Sequence, residues 1–160
     1  MPNKPLKLFY SYSHADSMHR LEMEKHLVTL RKAGRISEWS DNKITAGKKI
    51  GSEIRREIAE ADIVVFLISV DFLNSEACLE EVSMAKELFA NGSCKRLIAV
   101  ILRDCAWMDF DDMGDYLALP YDGKPVECWP SKDIAWSNVF SGLRNVIEQE
   151  ELSHQKEWKI

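Results

Sequence analysis

The 160-residue sequence predicts an α/β sandwich on a five-stranded, mainly parallel sheet, and three observations carry that expectation. Strand-like and helix-like segments alternate from one end to the other, the order that lays helices on both faces of a parallel sheet. Two of the strand segments, 62–69 and 95–102, are almost continuously apolar, the pattern of strands covered on both sides. A composition 46% hydrophobic, with only seven glycines and five prolines, supplies a core and excludes the disordered and low-complexity classes. At this size the expected topology is the flavodoxin-like three-layer sandwich with strand order 2-1-3-4-5.

The elements follow in order. Residues 6–12 form an aromatic-rich strand candidate, and Ser13-x-x-Asp16 resembles a capping box opening a helix that runs to about Lys32. Leu21, Leu27, Val28 and Leu30 supply its apolar stripe and Gly34 ends it. A short second strand spans 35–39, followed by a polar loop over 40–49. Ile50, Ile54, Ile58 and Ala61 then fall on one face of a second helix. After the third strand, Asn74 or Ser75 caps a helix whose core side carries Leu79, Val82, Ala85 or Met84, and Leu88-Phe89, until Asn91-Gly92 stops it. Beyond the fourth strand, 103–124 is irregular and acidic, with one helical turn near 113–117, and 125–129 is the expected last strand. Ser131 opens a final helix on which Trp136, Val139, Phe140, Leu143, Val146 and Ile147 share a face.

Charge and cysteine usage narrow the function classes. With 21 basic against 26 acidic residues the net charge is −5, which disfavours non-specific nucleic-acid binding, because that affinity comes from Lys and Arg displacing counterions. The basic pairs Lys48-Lys49 and Arg55-Arg56 are short. They either form a local patch for a phosphate-bearing small molecule or are solvated. Cys78, Cys94, Cys105 and Cys128 show no Cys-x-x-Cys spacing and no histidine at zinc-ligand distance, so they read as reduced, mostly buried thiols. The apolar runs are too short to cross a bilayer, and the N-terminus lacks a signal-peptide core. A soluble, cytoplasmic protein with no membrane partner and no nucleic-acid partner is expected. Asn91-Gly92-Ser93 is then a helix-ending turn rather than a glycosylation site.

In an open parallel sheet, ligands bind beyond the carboxyl ends of the strands, where strand order reverses. The segments 12–16, 40–49, 69–81 and 103 onwards are therefore the ones to test for chemistry. None carries Gly-x-Gly-x-x-Gly, a phosphate loop or Gly-x-Ser-x-Gly, which argues against kinases, Rossmann dehydrogenases and serine hydrolases. The acidic Asp109, Asp111, Asp112 and Asp115 do not have the spacing of a calcium loop and read as a solvated stretch, with no metal expected. Trp107, Trp129 and Trp136 read as packing residues.

These same segments carry a resemblance. Phe9-Tyr10-Ser11-Tyr12-Ser13-His14-Ala15-Asp16 is similar to the Phe-Ile-Ser-Tyr-Ser-His-x-Asp opening of the Toll/interleukin receptor (TIR) domain family. The likeness continues through Trp39-Ser-Asp-Asn-Lys-Ile-Thr-Ala-Gly-Lys48, Ile68-Ser-Val-Asp-Phe-Leu-Asn-Ser75 and Ser75-Glu-Ala-Cys-Leu-Glu-Glu81. Leu119-Pro-Tyr-Asp-Gly-Lys-Pro-Val126 followed by Trp129-Pro resembles the fifth-strand region of prokaryotic members. The resemblance places a TIR domain at 1–148 and a helical tail or linker at 149–160.

It implies two kinds of function. Some members cleave NAD+ between nicotinamide and ribose, with NAD+ as substrate and no cofactor; others are adaptors that bind further TIR domains through the same loops. The resemblance implies an NAD+ nucleosidase, of glycohydrolase or cyclase type, that becomes active on self-assembly, with a role in anti-phage defence; the alternative is a non-catalytic interaction module or effector. The family's enzymatic glutamate, in a Trp-x-x-x-Glu arrangement, falls on Glu81, with Glu80 the choice if the register is off by one. Ala77 stands where that tryptophan would be, and Ile50 lies near a position often aromatic in catalytic members. A carboxylate can hold ribose hydroxyls and stabilise the positive charge that develops as neutral nicotinamide leaves. The alternative for the Glu80-Glu81 pair is a favourable interaction with the helix dipole.

For substrate binding the resemblance implies Tyr12, Ser13, His14, Asp41, Lys48, Ile50 and Ala77. Tyr12 and Ser13 either line a nicotinamide-ribose pocket or cap and pack, and His14 either contacts ribose or phosphate or does the same. Asp41 either binds a ribose hydroxyl or fixes its loop by an Asx-turn. Lys43, Lys48 and Lys49 either offset pyrophosphate charge or are solvated. Asn42, Lys43, Ile44, Thr45, Ala46 and Gly47 form the implied assembly loop, which in family members packs on a neighbouring subunit. If the chain is a whole protein, the trigger is expected from another molecule; if it is a piece of a longer one, the tail at 154–160 is where the rest would attach.

Overall fold

A computed structural model describes residues 4–40, 51–111 and 113–158. The expected residues Asp41, Asn42, Lys43, Ile44, Thr45, Ala46, Gly47, Lys48, Lys49, Ile50 and Asp112 lie outside the described residues. Strand β1 (Leu6–Ser11) is followed by a 3₁₀ turn (His14–Asp16), helices α1 (Ser17–His26) and α2 (Val28–Lys32), and β2 (Ile36–Ser40). Next come α3 (Ser52–Glu60), β3 (Ile63–Ile68), α4 (Val70–Leu73), α5 (Glu76–Ala90) and β4 (Arg96–Ile101). Short 3₁₀ turns flank β5 (Leu117–Leu119) before the long α6 (Lys132–Trp158). The five strands pair in parallel in the order β2-β1-β3-β4-β5, the order the sequence predicts.

Side-chain alternation explains why β3 and β4 read as unbroken apolar runs. Ile63, Val65 and Leu67 point into one core with Ile98, Val100 and Leu102, under α1, α2 and α6. Val64, Phe66 and Ile68 point into the other with Leu97, Ala99 and Ile101, under α3 and α5. A strand buried on both faces has no polar position to offer. In α6, Trp136, Val139, Leu143, Val146 and Ile147 form the buried face, and Trp136 Nε1 donates to Glu22 at 2.9 Å, tying α6 to α1. Gly142 makes the close crossing of α6 over β5 possible: a Cβ there would stand 2.4 Å from Leu119 Cδ2.

Four expectations are corrected. The last strand is Leu117–Leu119, paired with Ile98–Val100, and 126–128 is a 3₁₀ turn. Pro125 has no N–H to give a ladder, while the Leu-Ala-Leu strand is too short to stand out inside an acidic segment. The first helix is two, because the backbone at Leu27 (φ −90°, ψ 7°) leaves the helical region. Its buried stripe is Met23, Leu27 and Leu30, at i, i+4 and i+7; Leu21 is off that period and 40% exposed. Phe89 lies at the rim, edge-on to Tyr116. Finally, α4 is a helix the hydrophobic pattern does not announce, started by Ser69, whose Oγ accepts from Phe72 N–H.

Ser75 caps α5 as expected, its Oγ accepting from Cys78 N–H at 3.2 Å. At the other end Gly92 takes φ +85° and Asn91 Oδ1 accepts from Ser93 N–H, a helix-ending turn as the sequence suggests. The expected tail is a direct continuation of α6. Glu150 accepts from Arg96 and Glu151 from Arg35, each at 2.8 Å.

Candidate functional site

Parallel pairing brings the carboxyl ends of β1, β3 and β4 to one edge, and β1 pairs with both β2 and β3, so the strand order reverses beside it. That edge is where side chains converge in such folds. Two buried carboxylates occupy it.

The first is Glu81, 3% exposed. It lies on the sheet-facing stripe of α5 with Cys78, Val82 and Ala85, at i−3, i+1 and i+4. Strand alternation sets its partner. Phe9 points to the α5 side of the sheet, so Ser11, two residues on, points there too, and its Oγ donates to Glu81 Oε1 at 2.5 Å. Glu81 is the sixth residue of α5, beyond the first turn, which holds only Glu76. A helix-dipole role fades within the first turn and does not account for its burial. Glu80, beside it, is half-buried.

Burial pushes the neighbouring Cys78 thiol up to about 12; the Ser75 and Ser11 hydroxyls oppose the shift, and the Glu81 and Asp16 carboxylates add to it. Cys78 is therefore a neutral thiol at physiological pH, where the thiolate is the reactive form. All four cysteines are free, with Cys78 and Cys94 buried and Cys128 exposed. We expect an aromatic disulfide reagent at pH 8 to label Cys128 in the native protein and Cys78 only on unfolding. Rapid native labelling of Cys78 would contradict this placement.

The second carboxylate is Asp16, 1% exposed. It accepts from Ser69 Oγ and, at 3.0 Å, from Arg103 Nη2, with His19 Nδ1 3.7 Å away. Arg103 Nη2 also donates to Asp71 at 2.5 Å. The Asp71 hydrogen bond and the Asp16 charge raise the guanidinium above its ordinary value. This network ties together the exits of β1, β3 and β4. The expected capping box is thus only half formed: Ser13 Oγ accepts from Ala15 N–H at 3.3 Å, but the Asp16 side chain goes to Ser69 and Arg103.

The other expected site residues are placed as follows. Tyr12 is buried, with the Arg20 guanidinium 5.2 Å over its ring and His14 tilted against it at 6.2 Å. Ser13 serves as a cap, and His14 is exposed. Ala77 is half-buried against the α5-side core. At this edge the structure places Glu81 and Ala77 on the α5 side of the sheet, whereas Tyr12 turns into the opposite core, under α1, α2 and α6, with Ser13 and His14 in the turn after β1. Ser11, Asp16, Ser69 and Arg103 belong to the same edge and were not among the expected site residues. Among the described residues, no group of three His, Cys, Asp or Glu is placed to hold a metal ion, and no helix is long and apolar enough to cross a membrane.

Such an edge offers buried carboxyl groups beside hydroxyl donors, a setting that can hold sugar hydroxyls or, when ionised, stabilise a developing cation. The comparisons with known proteins bear on which. A model of the TIR domain family matches residues 8–124. The uncharacterized protein y4lF of Sinorhizobium fredii is 38% identical over 138 residues, covering 86% of this chain. The chain spans 42% of that relative's length. The TIR domain of the Toll-related receptor TRR-2 from Hydra magnipapillata matches 86% of this chain and 97% of its own, at 18% identity and a TM-score of 0.53, a likeness of fold. The TIR domains of the activated Roq1 resistosome match 61% of this chain and 59% of theirs, at 22% identity and a TM-score of 0.46.

Proposed function

The chain belongs to the TIR domain family, and from that premise we propose that it cleaves NAD+ at the nicotinamide-ribose bond, with Glu81 as the catalytic carboxylate. The observation that carries the reading is Glu81 itself: buried, beyond the first turn of its helix, and bonded to the end of β1 at the edge where the strand order reverses. The bond between ribose C1′ and the pyridinium nitrogen breaks, its electron pair stays on that nitrogen, and neutral nicotinamide leaves. No general acid is needed. The positive charge that moves to the ribose is stabilised by the carboxylate. Capture by water gives ADP-ribose and one proton; capture by a nitrogen of the same nucleotide's adenine gives a cyclic ADP-ribose, without the elements of water, and likewise one proton.

Self-association is the proposed trigger. In the single chain Glu81 is 3% exposed, so a nucleotide reaches it only when the surrounding surface opens. Contact with a second copy is a means of biasing that opening. The loop 42–47 is the proposed contact, and Ile44→Asp is expected to weaken assembly and to lower nicotinamide release in parallel with it. Assembly unaffected by Ile44→Asp, read by sedimentation, would remove the loop from the account. A defence role, by consuming NAD+ or by making a signal nucleotide, is the setting we propose.

Ala77, small where catalytic members of the family carry a tryptophan, favours a second reading in which the chain is a binding module for other TIR domains. One assay separates the two. Concentrated protein is incubated with NAD+, with and without a crowding agent, and free nicotinamide is followed: release supports the enzyme, and none under any assembly condition supports the module.

A further inference from the structure

We infer that Ser11 is a positioning residue for Glu81, holding the carboxylate against the end of β1 so that it meets the substrate ribose in one orientation; this rests on the reading of Glu81 given above. Ser11 is 1% exposed and ends a strand whose other inward positions are Leu8, Phe9 and Tyr10. A buried strand position on a packed face favours a β-branched or aromatic side chain, and a lone hydroxyl there is unfavourable unless it is bonded. Its Oγ lies 2.5 Å from Glu81 Oε1 and donates to it. The glutamate side chain has three rotatable bonds, so an anchor on one oxygen fixes where the other can point.

Three ionisable groups near this bond are placed among the described residues. Cys78, on α5 itself, is held as a neutral thiol. Asp16, at the β1 exit, is engaged by Ser69 and Arg103, and Glu80, next to Glu81 on α5, is half-buried. Ser11 is the hydroxyl that β1 supplies to Glu81, and its loss removes a donor that favours the charged carboxylate.

The test uses Ser11→Ala together with the equal-shape pair Ser11→Thr and Ser11→Val, so that hydroxyl and volume are read separately even if one variant folds poorly. Steady-state nicotinamide release is measured across pH, with a thermal melt of each variant. We expect Ser11→Ala to lower kcat about 10- to 100-fold with KM for NAD+ little changed. The acid limb of kcat should move up by about one pH unit. Ser11→Thr should keep the wild-type limb, and Ser11→Val should behave as Ser11→Ala. Wild-type kcat and an unmoved limb in Ser11→Ala, or Thr and Val variants that agree with one another, would overturn the positioning role while leaving Glu81 in place. A wild-type protein that releases no nicotinamide overturns the reading of Glu81, and this inference with it.

Discussion

Glu81→Gln is expected to lower nicotinamide release by about 10³-fold while leaving the fold intact, the size expected when a pre-organised group facing developing charge is removed. Glutamine has the same shape and keeps an oxygen to accept from Ser11 Oγ, so the contact between α5 and β1 persists. Only the negative charge disappears. Because that charge matters most when the ribose is positive, the loss should fall on kcat, with KM for NAD+ changing little. The melting temperature should stay within a few degrees of wild type. A Glu81→Gln protein that is folded and still releases nicotinamide at the wild-type rate would remove Glu81 from the reaction.

The largest effect on stability is expected at Asp16. Asp16→Ala leaves the Ser69 hydroxyl and the Arg103 guanidinium without their buried acceptor. Breaking one partner of a buried ion pair typically costs about 3–5 kcal/mol. Arg103 is about a third exposed and keeps Asp71 as a partner, which favours the lower end, about 3 kcal/mol. For a chain of this length that corresponds to a fall in Tm of roughly 6–12 °C. Asp16→Asn keeps an acceptor for Ser69 but loses the charge and turns an NH2 donor towards Arg103, which still has Asp71, so its loss should be smaller, about 1–2 kcal/mol. Denaturant titration distinguishes the two, through a lower midpoint at unchanged slope. An Asp16→Ala protein melting within two or so degrees of wild type would show that the network does not hold the three strand ends together.

Much of this fold was legible in the sequence, for a physical reason. Strands β3 and β4 have both faces covered, so every position from Ile63 to Ile68 and from Leu97 to Ile101 is apolar, and the runs 62–69 and 95–102 cannot be mistaken for surface. They fix the centre of the sheet, and the alternation of helices around them fixes the order. Strand β5 was misplaced because its three residues, Leu117–Leu119, are held by pairing with β4 and by α6 above them, contacts made far away in sequence. The register error at Leu21 came from leaving Met23 out of the stripe: Met23, Leu27 and Leu30 hold the i, i+4, i+7 spacing, and Leu21 falls off it.

The site was legible in part. Glu81 follows from family register, and its burial adds a physical reason that register cannot supply. Ser11 had a signal in plain view: alternation from Phe9 puts it on the α5 side of the sheet, where a hydroxyl needs a partner. Asp16 was read locally, as half of a capping box, because sequence spacing favours local partners. Its actual partners, Ser69 and Arg103, come from the ends of β3 and β4 and meet it only once the sheet is assembled.

The most direct measurement is free nicotinamide released from NAD+ by concentrated wild-type protein, followed beside its sedimentation over a range of concentrations. Release that matches NAD+ consumed mole for mole, and rises with the assembled fraction, is the result expected of an assembly-activated NAD+-cleaving domain. Intact NAD+ at concentrations where the protein is fully assembled would contradict it.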